Sequence, residues 1–171
     1  MSMHGVLPRT HSTPPRNAAR ARSLWQTVAL YRFGALAISG ALLLASPDQV
    51  VAAGPWWFLT ALVALVVTAV QVFAPARAAT GLLLTEALLV AMIVGAAPAD
   101  ADVLVLSLLV PALWAGLALP LGRALAVTLG ANTLFALLSV AQPMADSSAF
   151  PPLQWVAVAA GMTLVAAWSK H

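Results

Sequence analysis

The sequence predicts an all-α integral membrane protein: a bundle of about six transmembrane helices with both termini in the cytoplasm. Composition, punctuation and the placement of charge lead there. The 171 residues are 62% hydrophobic and 8% charged, with a mean hydropathy of +0.95. A water-soluble domain carries roughly a quarter charged residues, so this chain lacks the polar surface to face water. Six apolar segments approach the roughly 20 residues a spanning helix needs. They are Leu24 to Ala45, Trp56 to Ala74, Thr80 to Ala97, Val103 to Leu119, Ala124 to Ala141 and Leu153 to Trp168. The breaks hold Ser46-Pro47-Asp48, Ala74-Pro75, Pro98-Ala99-Asp100, Pro120-Leu121-Gly122 and Phe150-Pro151-Pro152, the proline and glycine punctuation of turns. Connections this short make neighbouring helices antiparallel.

The charges sort by side. Arg9, Arg16, Arg20 and Arg22 precede the first segment, Arg77 and Arg123 occupy alternate connections, and Lys170 follows the sixth segment. Asp48, Asp100, Asp102 and Asp146 occupy the other connections. By the positive-inside rule the basic side is cytoplasmic. The net charge of +3 thus reads as a topology signal and not as a nucleic-acid footprint. Trp25, Trp56, Trp57, Trp155 and Trp168 fall at predicted helix ends, where interfacial tryptophan belongs. Residues 1–23, with Pro8, Pro14, Pro15 and several Ser and Thr, read as a disordered cytoplasmic tail. The apolar run after it is too long for a secretory signal peptide, so the first helix is expected to stay as an anchor.

Two ionisable residues interrupt this apolar pattern. A charge at mid-bilayer costs about 2.5–3.5 kcal/mol on insertion scales, so it usually has a partner or a task. At 1.5 Å per residue, Arg32 lies about 12 Å into the first helix and Glu86 about 9 Å into the third, both from the cytoplasmic side. Similar depth and opposite sign predict an Arg32–Glu86 intramembrane ion pair. Tyr31, Gln71, Thr85, Thr128 and Asn132 fall in the same half, and Trp114 and Pro111 lie inside the fourth helix, where proline is expected to kink it. Together these form a candidate polar pocket. The competing reading is interhelical glue, since buried hydrogen bonds hold membrane bundles together. Ala37 and Ala41 have a small-xxx-small spacing, for which packing within the bundle is a simpler use than dimerisation.

Catalytic chemistry finds little here. Cysteine is absent, and the histidines are His4, His11 and His171, two in the tail and one at the last residue. No metal set, phosphate-cradling glycine loop or nucleophile elbow can be assembled from the pattern, and no cofactor is implied. Asp100 and Asp102 make a small acidic pair that reads as solvated.

The first helix runs Leu24-Trp25-Gln26-Thr27-Val28-Ala29-Leu30-Tyr31-Arg32-Phe33-Gly34-Ala35-Leu36. It resembles the opening of the membrane-spanning N-terminal sensor region of actinobacterial sensor histidine kinases, the membrane components of two-component systems. There a basic tail and a Leu-Trp…Tyr-Arg…Ala-Leu helix precede further helices and a cytoplasmic kinase. The arginine of that pattern falls on Arg32, and an acidic residue in the third helix is similar to Glu86. The resemblance is sharpest over these dozen residues. It implies a plasma-membrane sensory input module that signals through its last helix, near Lys170, to a cytoplasmic effector. A homodimer or a cytoplasmic kinase domain would then be the partner beside the lipid bilayer. A phosphorylated histidine and an ATP-binding domain would have to lie beyond Trp168-Ser169-Lys170-His171. Two other classes compete: a small-molecule-binding or transport subunit, and a structural assembly subunit of a membrane complex.

Overall fold

A computed structural model describes residues 16–73, 79–98, 102–141 and 150–169, and every described element is helical. The disorder expected of residues 1–15, the basic residues Arg9, Arg77 and Lys170, the acidic Asp100 and Asp146, the Ala74-Pro75 break and all three histidines lie outside the described residues.

Helix α1 spans Arg16–Leu44. It starts eight residues before Leu24, inside the segment expected to be an unstructured tail. The added turns are Arg16-Asn17-Ala18-Ala19-Arg20-Ala21-Arg22-Ser23. Alanine and arginine are strong helix formers, and each residue added to an existing helix gains a backbone bond without a new nucleus. The chain then reverses within two residues: Ser46 N–H donates to Leu43 O at 3.1 Å and Gln49 N–H to Ser46 O at 2.9 Å.

Helix α2, Pro47–Phe73, follows at once. Pro47 occupies the first helical position, where its missing N–H is no loss, and Asp48 faces the positive end of the helix dipole. The start expected at Trp56 is therefore nine residues late, because Pro55 lies within the helix and does not open it. The 27 residues span about 40 Å, more than the roughly 30 Å of a hydrocarbon core. Trp25, Trp56 and Trp57 consequently sit well inside α1 and α2 and not at helix ends. Trp168 does close its helix and is exposed.

Helix α3 is Ala79–Ala96. The fourth predicted segment divides in two: a 3-10 stretch, Asp102–Leu108, and helix α4, Leu109–Ala118. At about 2.0 Å per 3-10 residue and 1.5 Å per α residue, these 17 residues reach roughly 29 Å, where an α-helix of equal length would fall short of a hydrocarbon core. Pro111 stands in the first turn of α4 and makes no mid-helix kink: the change of helix type comes just ahead of it. Helix α5 is Leu121–Val140, opened by Pro120, and α6 is Phe150–Trp168, with Pro151 and Pro152 in its first turn.

The helices pack in sequence order and across it: α1 on α2, α2 on α3, α3 on α5, α4 on α5 and α6, and α5 on α6. Small residues set the closest approaches. Gly40 of α1 lies against the Trp57 ring, Gly95 of α3 against Leu138 and the Phe135 carbonyl of α5, and Gly116 of α4 against Ala166 and the Thr163 carbonyl of α6. Ala37 and Ala41, by contrast, are exposed.

Large apolar side chains face outward along the bundle: Phe58 is 71% exposed, Leu137 65% and Val165 66%. Water would penalise such a surface, whereas hydrocarbon solvates it. Among the described residues, three helical segments are long and apolar enough to cross a membrane: Trp25–Leu44, Pro47–Phe73 and Leu121–Val140. Thr80–Ala96, Val103–Ala118 and Gln154–Trp168 are apolar but shorter.

A buried arginine–glutamate network as candidate functional site

Arg32 and Glu86 are each 2% exposed and meet inside the bundle. Arg32 Nε donates to Glu86 Oε1 at 2.7 Å and Nη2 to Glu86 Oε2 at 2.7 Å, a bidentate fork between α1 and α3. From α2, Nη1 donates to Thr68 Oγ1 at 2.8 Å and to Gln71 Oε1 at 3.2 Å. Thr68 and Gln71 share a face because they are three residues apart. The Thr68 hydroxyl proton goes to Ala64 O at 2.7 Å, which leaves its oxygen free to accept from the arginine. Four of the five guanidinium N–H groups thereby have partners. The Trp114 ring of α4 lies 5.6 Å from the guanidinium carbon, within cation–π range, and the Trp25 ring meets Trp114 edge-on at 5.5 Å. Val28, Leu83, Ala115, Leu119 and Ala124 pack around these rings and exclude solvent.

The energetics of such a pair are two-sided. Desolvating two ions costs several kcal/mol each, and their attraction offsets this only with good geometry and satisfied remaining hydrogens. Here the fork is bidentate and the extra donors are taken up by α2. The network therefore ties three helices together at one point.

The candidate pocket inferred from the sequence does not form one site. Gln71 and Trp114 join Arg32 and Glu86. Thr128 and Asn132 belong to a second cluster, between α4, α5 and α6. There the Thr128 and Thr163 hydroxyls pair at 2.9 Å, Thr163 Oγ1 reaches Ala159 O at 3.0 Å and Ala112 O at 3.2 Å, and Asn132 Nδ2 donates to Thr128 O at 2.8 Å. Tyr31 and Thr85 join neither cluster. Tyr31 is 51% exposed, and the exposed Thr85 hydroxyl donates back to Gly81 O at 2.9 Å. Each precedes a buried charge by one residue, which is about 100° around the helix, so each faces away from it.

Three participants escaped the sequence reading. Thr68 had a signal: it stands three residues before Gln71. Ser39 had another, seven residues and two turns after Arg32 on the same face. It accepts a hydrogen bond from Trp57 Nε1 at 3.0 Å and so fastens α1 to α2 a second time. Thr163 is a lone hydroxyl in an apolar helix, and nothing local marks its role.

Tyr31 instead lines an apolar groove of about 450 Å³ that opens between α1 and α6. Leu30, Gly34 and Ile38 form one wall, Leu109 and Val110 of α4 the floor, and Met162 of α6 the other wall.

Fold and site together define a class: an all-helical protein with helices of membrane-spanning length and apolarity, built around a charge-neutral buried ionic network. Comparison with protein-family models, with curated proteins and with solved structures finds no match for this chain.

Proposed function

We propose that this chain is the membrane-embedded sensory input module of a two-component-type signalling protein. In this reading six helices cross the plasma membrane, both termini are cytoplasmic, and α6 passes the signal to a cytoplasmic effector. The observation that carries it is the division of the polar contacts. One cluster fastens α1, α2 and α3 through Arg32, and a separate one fastens α4, α5 and α6 through Thr163. Helices joined by discrete polar ties have a small number of arrangements, which is the property a switch needs. The groove runs between α1, a helix of the first tied set, and α6, a helix of the second. A stimulus that widens or fills it would bias the position of α6. The first-helix resemblance, centred on Arg32, points the same way.

The test is the size of the native product. An antibody to residues 1–23 should detect, in source cells, a product much larger than the 17.6 kDa of this chain, because the effector is covalently attached. A 17.6 kDa product would discard that reading in favour of a binding, transport or assembly subunit, whose partner gentle co-purification would then reveal.

The topology has its own test, which the absence of cysteine makes clean. Asp48 and Arg123 are both exposed and lie at opposite ends of the proposed bundle. A membrane-impermeant thiol reagent should label an Asp48→Cys variant in intact cells and an Arg123→Cys variant only after permeabilisation. The reverse pattern would invert the bundle, and equal labelling of both would end the six-span reading.

A further inference from the structure

The cluster between α4, α5 and α6 leaves a hydrogen-bonding deficit that can be counted. Asn132 is 2% exposed and its Oδ1 has no partner. Its amide orientation is set by Nδ2, which donates to Thr128 O at 2.8 Å; turned over, two oxygens would face each other. Thr163 has a single hydroxyl proton, and two backbone carbonyls lie within reach of it, at 3.0 and 3.2 Å. Carbonyls only accept, so that proton goes to them. The hydrogen in the 2.9 Å contact between the hydroxyls must then come from Thr128. Thr128 Oγ1 keeps its lone pairs, as does Asn132 Oδ1.

Both residues line one small cavity, together with Ala87 of α3, Leu108 at the end of the 3-10 stretch, and Pro111 and Ala112 of α4. Its volume is about 10 Å³, the space that one water-sized sphere occupies. No organic ligand fits. A single molecule able to donate two hydrogen bonds does: Asn132 Oδ1 lacks a donor, and Thr128 Oγ1 keeps a lone pair to accept a second bond.

We infer that this cavity is a binding site for one buried water molecule, which donates to Asn132 Oδ1 and to Thr128 Oγ1. Leaving a buried polar oxygen without a partner is costly, and buried water commonly supplies the missing hydrogen bond inside proteins. The water stands where the 3-10 stretch gives way to α4, and touches α3 at the residue after Glu86.

The experiment uses the whole chain in lipid bilayers. Water-edited solid-state NMR should transfer polarisation from water to the Asn132 side-chain carbonyl carbon and to Thr128 Cβ. An Asn132→Leu substitution should abolish the transfer to Thr128, because the leucine takes the water's place. Should that variant fail to fold, a high-resolution structure of the unsubstituted chain decides the matter. Density for one atom about 2.7–3.0 Å from both oxygens is the expected result. Absence of transfer to Asn132 and Thr128, an empty cavity, or density bonded to neither oxygen overturns the inference.

Discussion

Replacing Arg32 with leucine should cost about 3–5 kcal/mol of stability, the usual loss when one partner of a buried ion pair is removed. The Glu86 carboxyl group would lose both donors, at 2.7 Å each, in a site that apolar neighbours shield from solvent. Glu86→Leu should cost a similar amount. The Arg32 guanidinium would retain only Thr68, Gln71 and the Trp114 face. Two double variants separate the explanations. The reciprocal swap, Arg32→Glu with Glu86→Arg, should recover folded yield lost in either single variant. The apolar pair, Arg32→Met with Glu86→Leu, should be nearly as stable as the parent, because replacing both ions removes the desolvation cost along with the attraction. Unfolding of each variant in mixed micelles would measure all four. A swap less stable than both single variants would overturn the pairing. Single variants as stable as the parent would mean that Arg32 reaches the interface and needs no partner.

The second large effect is expected at Gly116. A Cβ there would sit 2.7 Å from Ala166 Cβ and 2.7 Å from the Thr163 carbonyl oxygen, inside van der Waals contact. Neither atom can move without moving the α6 backbone. Overpacking of this kind typically costs about 1–3 kcal/mol. Gly116→Ala should fall in that range and Gly116→Val beyond it. An added Ala166→Gly change should restore part of the loss, since it clears one contact and leaves the carbonyl. Gly130→Ala is the control: nothing lies within 4 Å of the added atom, so it should be neutral or gain some of the roughly 0.8–1 kcal/mol of helix propensity that separates alanine from glycine. Thermal unfolding in the same detergent reads all of these. Equal tolerance at Gly116 and Gly130 would mean that the α4–α6 seam is looser than its geometry.

How much of this was legible beforehand depended on whether the cause was local. Helix α3 was expected at Thr80 to Ala97 and runs Ala79–Ala96, because an unbroken apolar run between prolines is complete information for a helix. The encounter of Arg32 with Glu86 was also legible. Charges are so rare in these segments that similar depth and opposite sign leave few other partners. The starts of α1 and α2 are not marked by polarity: helix propensity and Pro47 at a first helical position set them.

The candidate pocket failed on direction. Depth along a helix follows from counting residues, but azimuth does not when alanine, leucine and valine surround every face. Tyr31 and Thr85 have the right depth and the wrong side. The 3-10 stretch was equally hidden, since Asp102–Leu108 carries no residue that forbids an α-helix.

The sequence thus determined the helical class, the approximate segments and the charged pair, all consequences of composition and of distance along the chain. Tertiary structure alone decided that the polar residues form two clusters and not one, that Gly116 rather than Ala37 and Ala41 marks a close helix contact, and that Asn132 faces a cavity with an oxygen to spare. The physical reason is common to all three. Each depends on which helix stands opposite, and in a chain this uniformly apolar no single helix records its neighbour.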